Sequence, residues 1–191
     1  MTTTVVKPVR PSNLDDLATL FGTSRTTTGC YCMWFLVPAK ECNAGWSGGN
    51  REALENLARH ERQPVGLLAY RDKQPVGWIA AGPRSRFARA LRGQVLRDHD
   101  PAEDDQVWLV PCFYVRREAR RTGVMRTLLE SAVDLAHRRG AIAVEGFPLA
   151  GDGRHSAGNA FVGVEPLFAS CGFTTVARPT AGRVVMRRQL T

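Results

Sequence analysis

Between Phe113 and Glu130 the chain reads FYVRREARRTGVMRTLLE, so Arg116, Arg117, Arg120, Arg121 and Arg126 crowd around a single glycine, Gly123, where an apolar-periodic run begins. Like charges packed that closely repel, so these side chains either fan out into solvent or gather round an anion. The first backbone N–H groups of a helix have no internal partners, and the helix dipole adds partial positive charge there. A strand that turns through glycine into a helix N-terminus is therefore suited to phosphate, with the glycine allowing close approach of the backbone and the arginines adding charge-assisted hydrogen bonds. An anion carrying several phosphates is the expected ligand.

Two other phosphate motifs are absent. There is no G-x-x-x-x-G-K-[ST], and no G-x-G-x-x-G follows a strand with an acidic residue about 20 positions later, which excludes the nucleotide hydrolase and dehydrogenase patterns. Gly151 and Gly153 offer no phosphate cradle, because no helix is expected to start directly after them. Cys30 and Cys32, with Cys42 downstream, lack the paired C-x₂₋₄-C or H-x₃₋₅-H spacing of a zinc site, so no metal is expected. Cys112 is either a nucleophile for an acyl group or a small buried hydrophobe. His155 is either a site residue reaching in from its loop or a solvated loop histidine.

These residues need elements to position them. Residues 4 to 10 read as a short strand, and Ser12 with Asp15 starts a helix that turns Leu14, Leu17, Ala18 and Phe21 to one face. Residues 22 to 49 read as loop. Asn50 is the expected N-cap of a second helix burying Ala53, Leu54, Leu57 and Ala58. Residues 65 to 82 form a hairpin around a four-residue turn, DKQP, and residues 83 to 100 a polar, helical insert. QVWLVPCFYV, residues 106 to 115, is a long strand with Pro111 in its middle, and a proline there demands a bulge or a departed neighbour. Gly123 opens the longest helix, with inward stripe Val124, Leu128, Leu129, Ala132, Leu135 and Ala136, basic residues His137 to Arg139 at its C-terminal dipole and Gly140 as cap. A strand at 141 to 149, a glycine-rich loop, a short helix near 163 to 171 and two closing strands, TTVAR and RVVMRRQL, complete the chain.

At 191 residues the sequence is about one domain long by the prior of roughly 100–200 residues per domain, and its 43% hydrophobic and 23% charged content is ordinary for a soluble globular protein. A formal charge of +8 points to an anionic partner without choosing among phosphates, nucleic acid and acidic surfaces. The N-terminus lacks a signal-peptide pattern, and no window approaches the roughly 18 apolar residues of a membrane span. Five cysteines, an odd number, are expected as reduced thiols. The expected location is cytoplasmic, with no membrane partner.

FYVRREARRTGVM resembles the acyl-CoA-binding motif of the GNAT acetyltransferase superfamily, in which a strand leads through R/Q-x-x-G-x-G/A into a helix. Arg120, Arg121, Thr122, Gly123, Val124 and Met125 fill that pattern, with Met125 where the family usually has Gly or Ala, and LFASCGF looks like the family's L-Y-x-x-x-G-F segment. The resemblance implies an α/β (α+β) fold: a central mixed, mostly antiparallel sheet with a splayed, bulged strand at 106–115, flanked by helices, in one domain over residues 1–191. It implies acetyl-CoA as cosubstrate, with Phe113, Tyr114 and Val115 pairing the pantetheine arm and residues 120 to 126, Arg126 included, at the phosphates.

Transfer needs an uncharged amine, a donor for the developing oxyanion and a proton for the departing thiolate. The family's tyrosine proton donor is replaced here by Phe168, so the resemblance implies that Tyr31 or a water substitutes. Glu145, on the strand facing the splay, is the preferred base if partly desolvated, and otherwise an ion-paired or solvent-facing residue. Tyr31, Trp34, Phe35 and Trp46 form either an apolar acceptor wall or a packed loop. The implied function is an N-acetyltransferase acting on a primary amine in a ternary complex. Aminoacyl-tRNA or a protein amine as acceptor, and a non-catalytic CoA-binding module, remain alternatives; the protein is expected as monomer or homodimer.

Overall fold

The computed structural model describes residues 3–151 and 160–190. In chain order the strands and helices are β1 (Val5–Pro8), α1 (Leu14–Phe21), α2 (Arg25–Cys30), α3 (Ala39–Ala44), α4 (Gly49–His60), β2 (Gly66–Arg71), β3 (Gln74–Pro83), α5 (Ala88–Arg92), β4 (Val107–Val115), α6 (Val124–Arg138), β5 (Ala143–Gly146), α7 (Glu165–Ala169), β6 (Thr174–Thr180) and β7 (Arg183–Gln189). They make a mixed α/β fold around one seven-stranded sheet of order β1-β2-β3-β4-β5-β7-β6. Every neighbouring pair is antiparallel except β4 with β5.

Strand alternation sends side chains to two apolar layers. One face of β4 gives Leu109, Cys112 and Tyr114 to a core shared with α1 and α4, and the other gives Val110, Phe113 and Val115 to a core shared with α6 and α7. The stripe expected on α6 is buried, joined by Val133, and the helix lies so close to β3 that a methyl group on Gly77 would stand 2.8 Å from Val124 Cγ1. The helix stops by backbone chemistry: Gly140 takes φ +78°, Ala141 N–H donates to Ala136 O and Gly140 N–H to His137 O.

The hairpin turn is tighter than expected. Asp72 and Lys73 both take left-handed angles, φ +48° and +65°, so the loop has two residues and Gln74 and Pro75 already belong to β3. That geometry matches the right-handed twist of the flanking strands.

Residues 22 to 49, expected as loop, carry α2, α3 and two single 3₁₀ turns. Each piece is too short to show a 3.6-residue stripe, and tertiary bonds hold them instead. Thr27 Oγ1 donates to Phe21 O at 2.7 Å. Asn50, expected as an N-cap, sits inside α4 and is buried, its amide donating to Gly29 O and Cys42 O, both at 2.8 Å. One side chain thus ties α4 to both short helices. β5 is also shorter than residues 141 to 149: regular pairing with β7 ends at Gly146, and beyond it the Val184 N–H to Pro148 O bond and an isolated bridge from Leu149 to Arg183 continue the contact.

Among the described residues no helix is long and apolar enough to cross a membrane.

Candidate active site

The loop after β4 assembles a row of unpartnered donors. Arg121 and Gly123 both take left-handed backbone angles, φ +60° and +87°. The first hydrogen bond of α6 runs from Thr127 N–H to Gly123 O at 3.1 Å, and no backbone N–H from Arg121 to Arg126 has a partner among the described residues. A methyl group built on Gly123 would meet nothing within 4 Å, so the donors face open space. Side chains brace the loop from behind: Arg71 donates to Thr122 O at 2.9 Å and Thr122 Oγ1 to Ala119 O at 2.7 Å. Successive free N–H groups at the positive end of a helix form an anion-binding concavity.

The arginines divide into two sets. Arg120 Nε donates to Val115 O at 3.1 Å, and Arg126 donates to Ser170 O at 3.0 Å, so both also fasten the loop to its surroundings. Arg121 is exposed. Met125 packs its side chain against the core beneath α6, so its bulk is not wholly turned toward the open space before the loop.

β4 carries the bulge that Pro111 requires. Ala80 faces Cys112 and Gly82 faces Leu109, so three steps along β4 match two along β3. On its other edge β4 pairs with β5 only at Val107, Trp108 and Leu109. From Val110 onward the two strands part, so that among the described residues one edge of Phe113, Tyr114 and Val115 has no strand neighbour while β3 holds the other. The Tyr114 hydroxyl is engaged with Thr23 Oγ1 at 2.7 Å.

A cavity of about 430 Å³ meets β4 at Cys112, on the sheet face opposite α6. Its walls are Trp34, Phe35 and Trp46 from the segment between α2 and α4, with Phe161 and Val162 from a 3₁₀ turn before α7. The Arg89 guanidinium stacks 3.5 Å from the centre of the Trp34 ring, a cation–π contact that holds this wall. The floor is sulfur: the Cys32 thiol lies 3.2 Å from Cys112 Sγ and accepts a bond from Trp78 Nε1 at 3.1 Å. Burial pushes Cys30 up to about 12, and the bond to Cys112, with burial behind it, holds Cys32 well above the usual thiol range. These thiols therefore stay neutral near pH 7. Among the described residues no group of three or more His, Cys, Asp or Glu side chains is placed to hold a metal ion.

Neither residue expected to handle protons lines this cavity. Glu145 is buried, with Oε2 held by Arg84 Nη1 at 2.8 Å and Oε1 by Arg187 Nη1 at 3.1 Å. It faces a second cavity of about 420 Å³ that also contains His99, Glu103 and Arg178. Tyr31 is buried with its ring edge-on to Phe21, and its hydroxyl feels the charges of Arg51 and Glu55 on α4; burial raises its pKa. Phe168 is fully buried between Phe113 and Phe173, with Gly146 and Gly163 making room for its ring. His155 and Gly153 lie outside the described residues.

Thr26, Thr27, Asn43, Phe161, Val162 and Arg183 at the cavity were not anticipated from sequence. Arg183, at the start of β7, is the only charged side chain among the described lining residues. Its turn, TAGRVV, has no local signature of a site.

The family model described as "Acetyltransferase (GNAT) family" matches residues 32–148. No curated protein matches the sequence significantly. Among solved structures, a ribosomal-protein-alanine N-acetyltransferase from Brucella melitensis is 21% identical, with 97% of this chain and 99% of that one covered at a TM-score of 0.57. A GCN5-related N-acetyltransferase from Kribbella flavida is 18% identical over 98% of each chain, TM-score 0.58. The PaiA N-acetyltransferase from Thermoplasma acidophilum, solved in complex with coenzyme A, is 12% identical over 98% of this chain and 99% of that one, TM-score 0.58. At these identities the likeness is one of fold.

Proposed function

We propose that this chain, which belongs to the GNAT acetyltransferase family, moves acetyl from acetyl-CoA directly onto a primary amine held in the 430 Å³ cavity. Family membership makes it an acyltransferase that uses acetyl-CoA. The observation that carries the finer reading is the continuity of three features on one strand: free N–H groups after Val115, an unpaired edge from Val110 and a cavity that opens at Cys112.

In this reading the N–H groups of residues 121 to 126 hold the pyrophosphate, and Arg121 adds charge. The free edge of Phe113 to Val115 pairs the pantetheine amides, which delivers the thioester to the bulge. Backbone N–H groups of the bulge supply donors to the carbonyl oxygen as negative charge develops there. The C–N bond forms as the C–S bond breaks, one proton leaves the amine, and one reaches the thiolate.

The described cavity lining has no Asp, Glu or His to take the amine proton, so water is the proposed acceptor, and water also protonates the thiolate because Phe168 has no proton to give. Glu145 could serve as base only by leaving Arg84 and Arg187. We therefore assign it a positioning role, joining β5 to β7 and to the segment after β3 at the point where the splay begins. Tyr31 is assigned a packing role behind the cavity, its ring against Phe21. The volume of the cavity favours a small molecule over a folded partner, and the five free thiols fit a reducing, cytoplasmic setting.

The test is to incubate the protein with acetyl-CoA and a panel of primary amines, following CoA thiol release and product mass. Acetylated amine formed with equal CoA release supports the reading. Tight acetyl-CoA binding with no turnover on any amine, tRNA or peptide would make the protein a CoA-binding module instead.

A further inference from the structure

We infer that the acceptor is a small amine that carries both an apolar or aromatic body and a carboxylate, a hydrophobic amino acid in chemical class, and that Arg183 reads the carboxylate. This rests on the acetyl-transfer reading above and deepens it.

Three observations carry the inference. The wall is aromatic: Trp34, Phe35, Trp46 and Phe161 offer ring faces and edges to an apolar body. The charge is single and positive, since no carboxylate lines the cavity among the described residues. A polycationic amine would find no carboxylate among the described lining residues to offset its charge.

The third observation is the state of Arg183 itself. It is half-buried, and its bond to a protein acceptor is a long one, Nη1 to Phe147 O at 3.4 Å. It has no ion pair among the described residues, and desolvation lowers its pKa. Arg84 is paired with Glu145 and Asp104 and Arg187 with Glu103 and Glu145, while the half-buried Arg71 and Arg188, which also have no ion pair among the described residues, each hold a carbonyl at 2.8–2.9 Å, shorter than the bond of Arg183. A desolvated guanidinium without a carboxylate of its own is costly unless a ligand supplies one, and its planar fork matches a carboxylate with two parallel bonds.

The experiment compares phenylalanine, leucine and tryptophan as acceptors with their amides, with phenethylamine and with spermidine. The parent, Arg183→Gln and Arg183→Lys are each assayed after a thermal melt shows them folded. The expected result is kcat/KM higher for the free amino acids than for the uncharged-end analogues by roughly 10–100-fold, the worth of a charge-assisted hydrogen bond pair. In Arg183→Gln that preference should collapse through KM with kcat little changed, and Arg183→Lys should restore part of it. Phenethylamine or spermidine used as well as phenylalanine would overturn the inference while leaving acetyl transfer intact.

A second readout stands apart from turnover. N-acetylphenylalanine is titrated in the presence of CoA while tryptophan fluorescence is followed, since Trp34 and Trp46 stand in the wall. Binding that weakens at least tenfold in Arg183→Gln upholds the inference even if no amine is acetylated, in which case the transfer reading alone fails. No binding, or equal binding by parent and variant, overturns it.

Discussion

Glu145 and Arg84, 61 residues apart in sequence, meet at 2.8 Å where both side chains are closed to water, 6% and 1% exposed. Breaking such a pair by deleting one partner strands a buried charge, at a cost of about 3–5 kcal/mol. Arg84→Ala should therefore lower stability by about that much in urea melts. Glu145→Gln keeps the shape and one acceptor oxygen and should cost less. If the folded Gln variant keeps the parent's pH–rate profile, Glu145 is a positioning residue; loss of roughly 10²–10⁴-fold in rate with the acidic limb abolished would make it the base.

The anion loop ranks its own mutations. Arg121→Ala removes one exposed charge and should weaken CoA binding by ~1.5–3 kcal/mol at most. Gly123→Val should do worse, because a β-branched residue is disfavoured at φ +87° and fills the open space before the free N–H groups. Calorimetric titration of CoA at fixed salt checks the order. A Gly123→Val protein that is folded and binds like the parent would remove the helix N-terminus from the phosphate site.

Thiol chemistry gives a pH prediction. Cys30 is pushed up from 9.0 to about 12, chiefly by burial, so the folded state favours the neutral thiol. Its contribution to stability is fully present below about pH 9 and is lost as pH rises from there toward about 12. Cys32 shifts in the same direction. Iodoacetamide at pH 8 should label Cys30 and Cys32 slowly in the folded protein and readily in urea, read by peptide mass. Fast labelling of the native form would show that these thiols are not held neutral.

Asn50 braces the cavity from behind. Asn50→Ala leaves the carbonyls of Gly29 and Cys42 without their donor and removes the link between α4 and the two short helices. The expected loss is about 1–3 kcal/mol per stranded group. Because Trp34, Phe35 and Trp46 hang on this segment, acceptor KM should rise while CoA affinity holds. A melt, a CoA titration and acceptor kinetics on one preparation separate the two effects.

What was legible in the sequence was what depends on neighbours in sequence. The α6 stripe, the glycine before it and Pro111 in β4 each carry a local physical signature, and together they place the bulge and the anion loop. The acceptor side has no such signature. Asn50 looks like an N-cap because its partners, Gly29 and Cys42, lie outside any local window. Glu145 stays open between base and ion-paired residue in the sequence, because Arg84 and Arg187 are brought to it from 61 and 42 positions away. Arg183 joins the cavity only because the chain after Gly146 follows β7, so that Leu149 bridges to Arg183.

The parting of β4 from β5 after Leu109 also leaves, among the described residues, a strand edge without a strand neighbour in the middle of the sheet. Unpaired strand edges invite any extended chain to dock, including a second copy of the same protein. A pantetheine arm lying along Phe113 to Val115 would cap that edge as well as present a thioester. Depleted of CoA, the protein should thus be more prone to self-association and to capture by stray peptides; saturated with it, the protein should melt later by mass action and store better. The cosubstrate would double as an edge protector, and purification in its presence becomes a matter of colloidal stability as much as of activity.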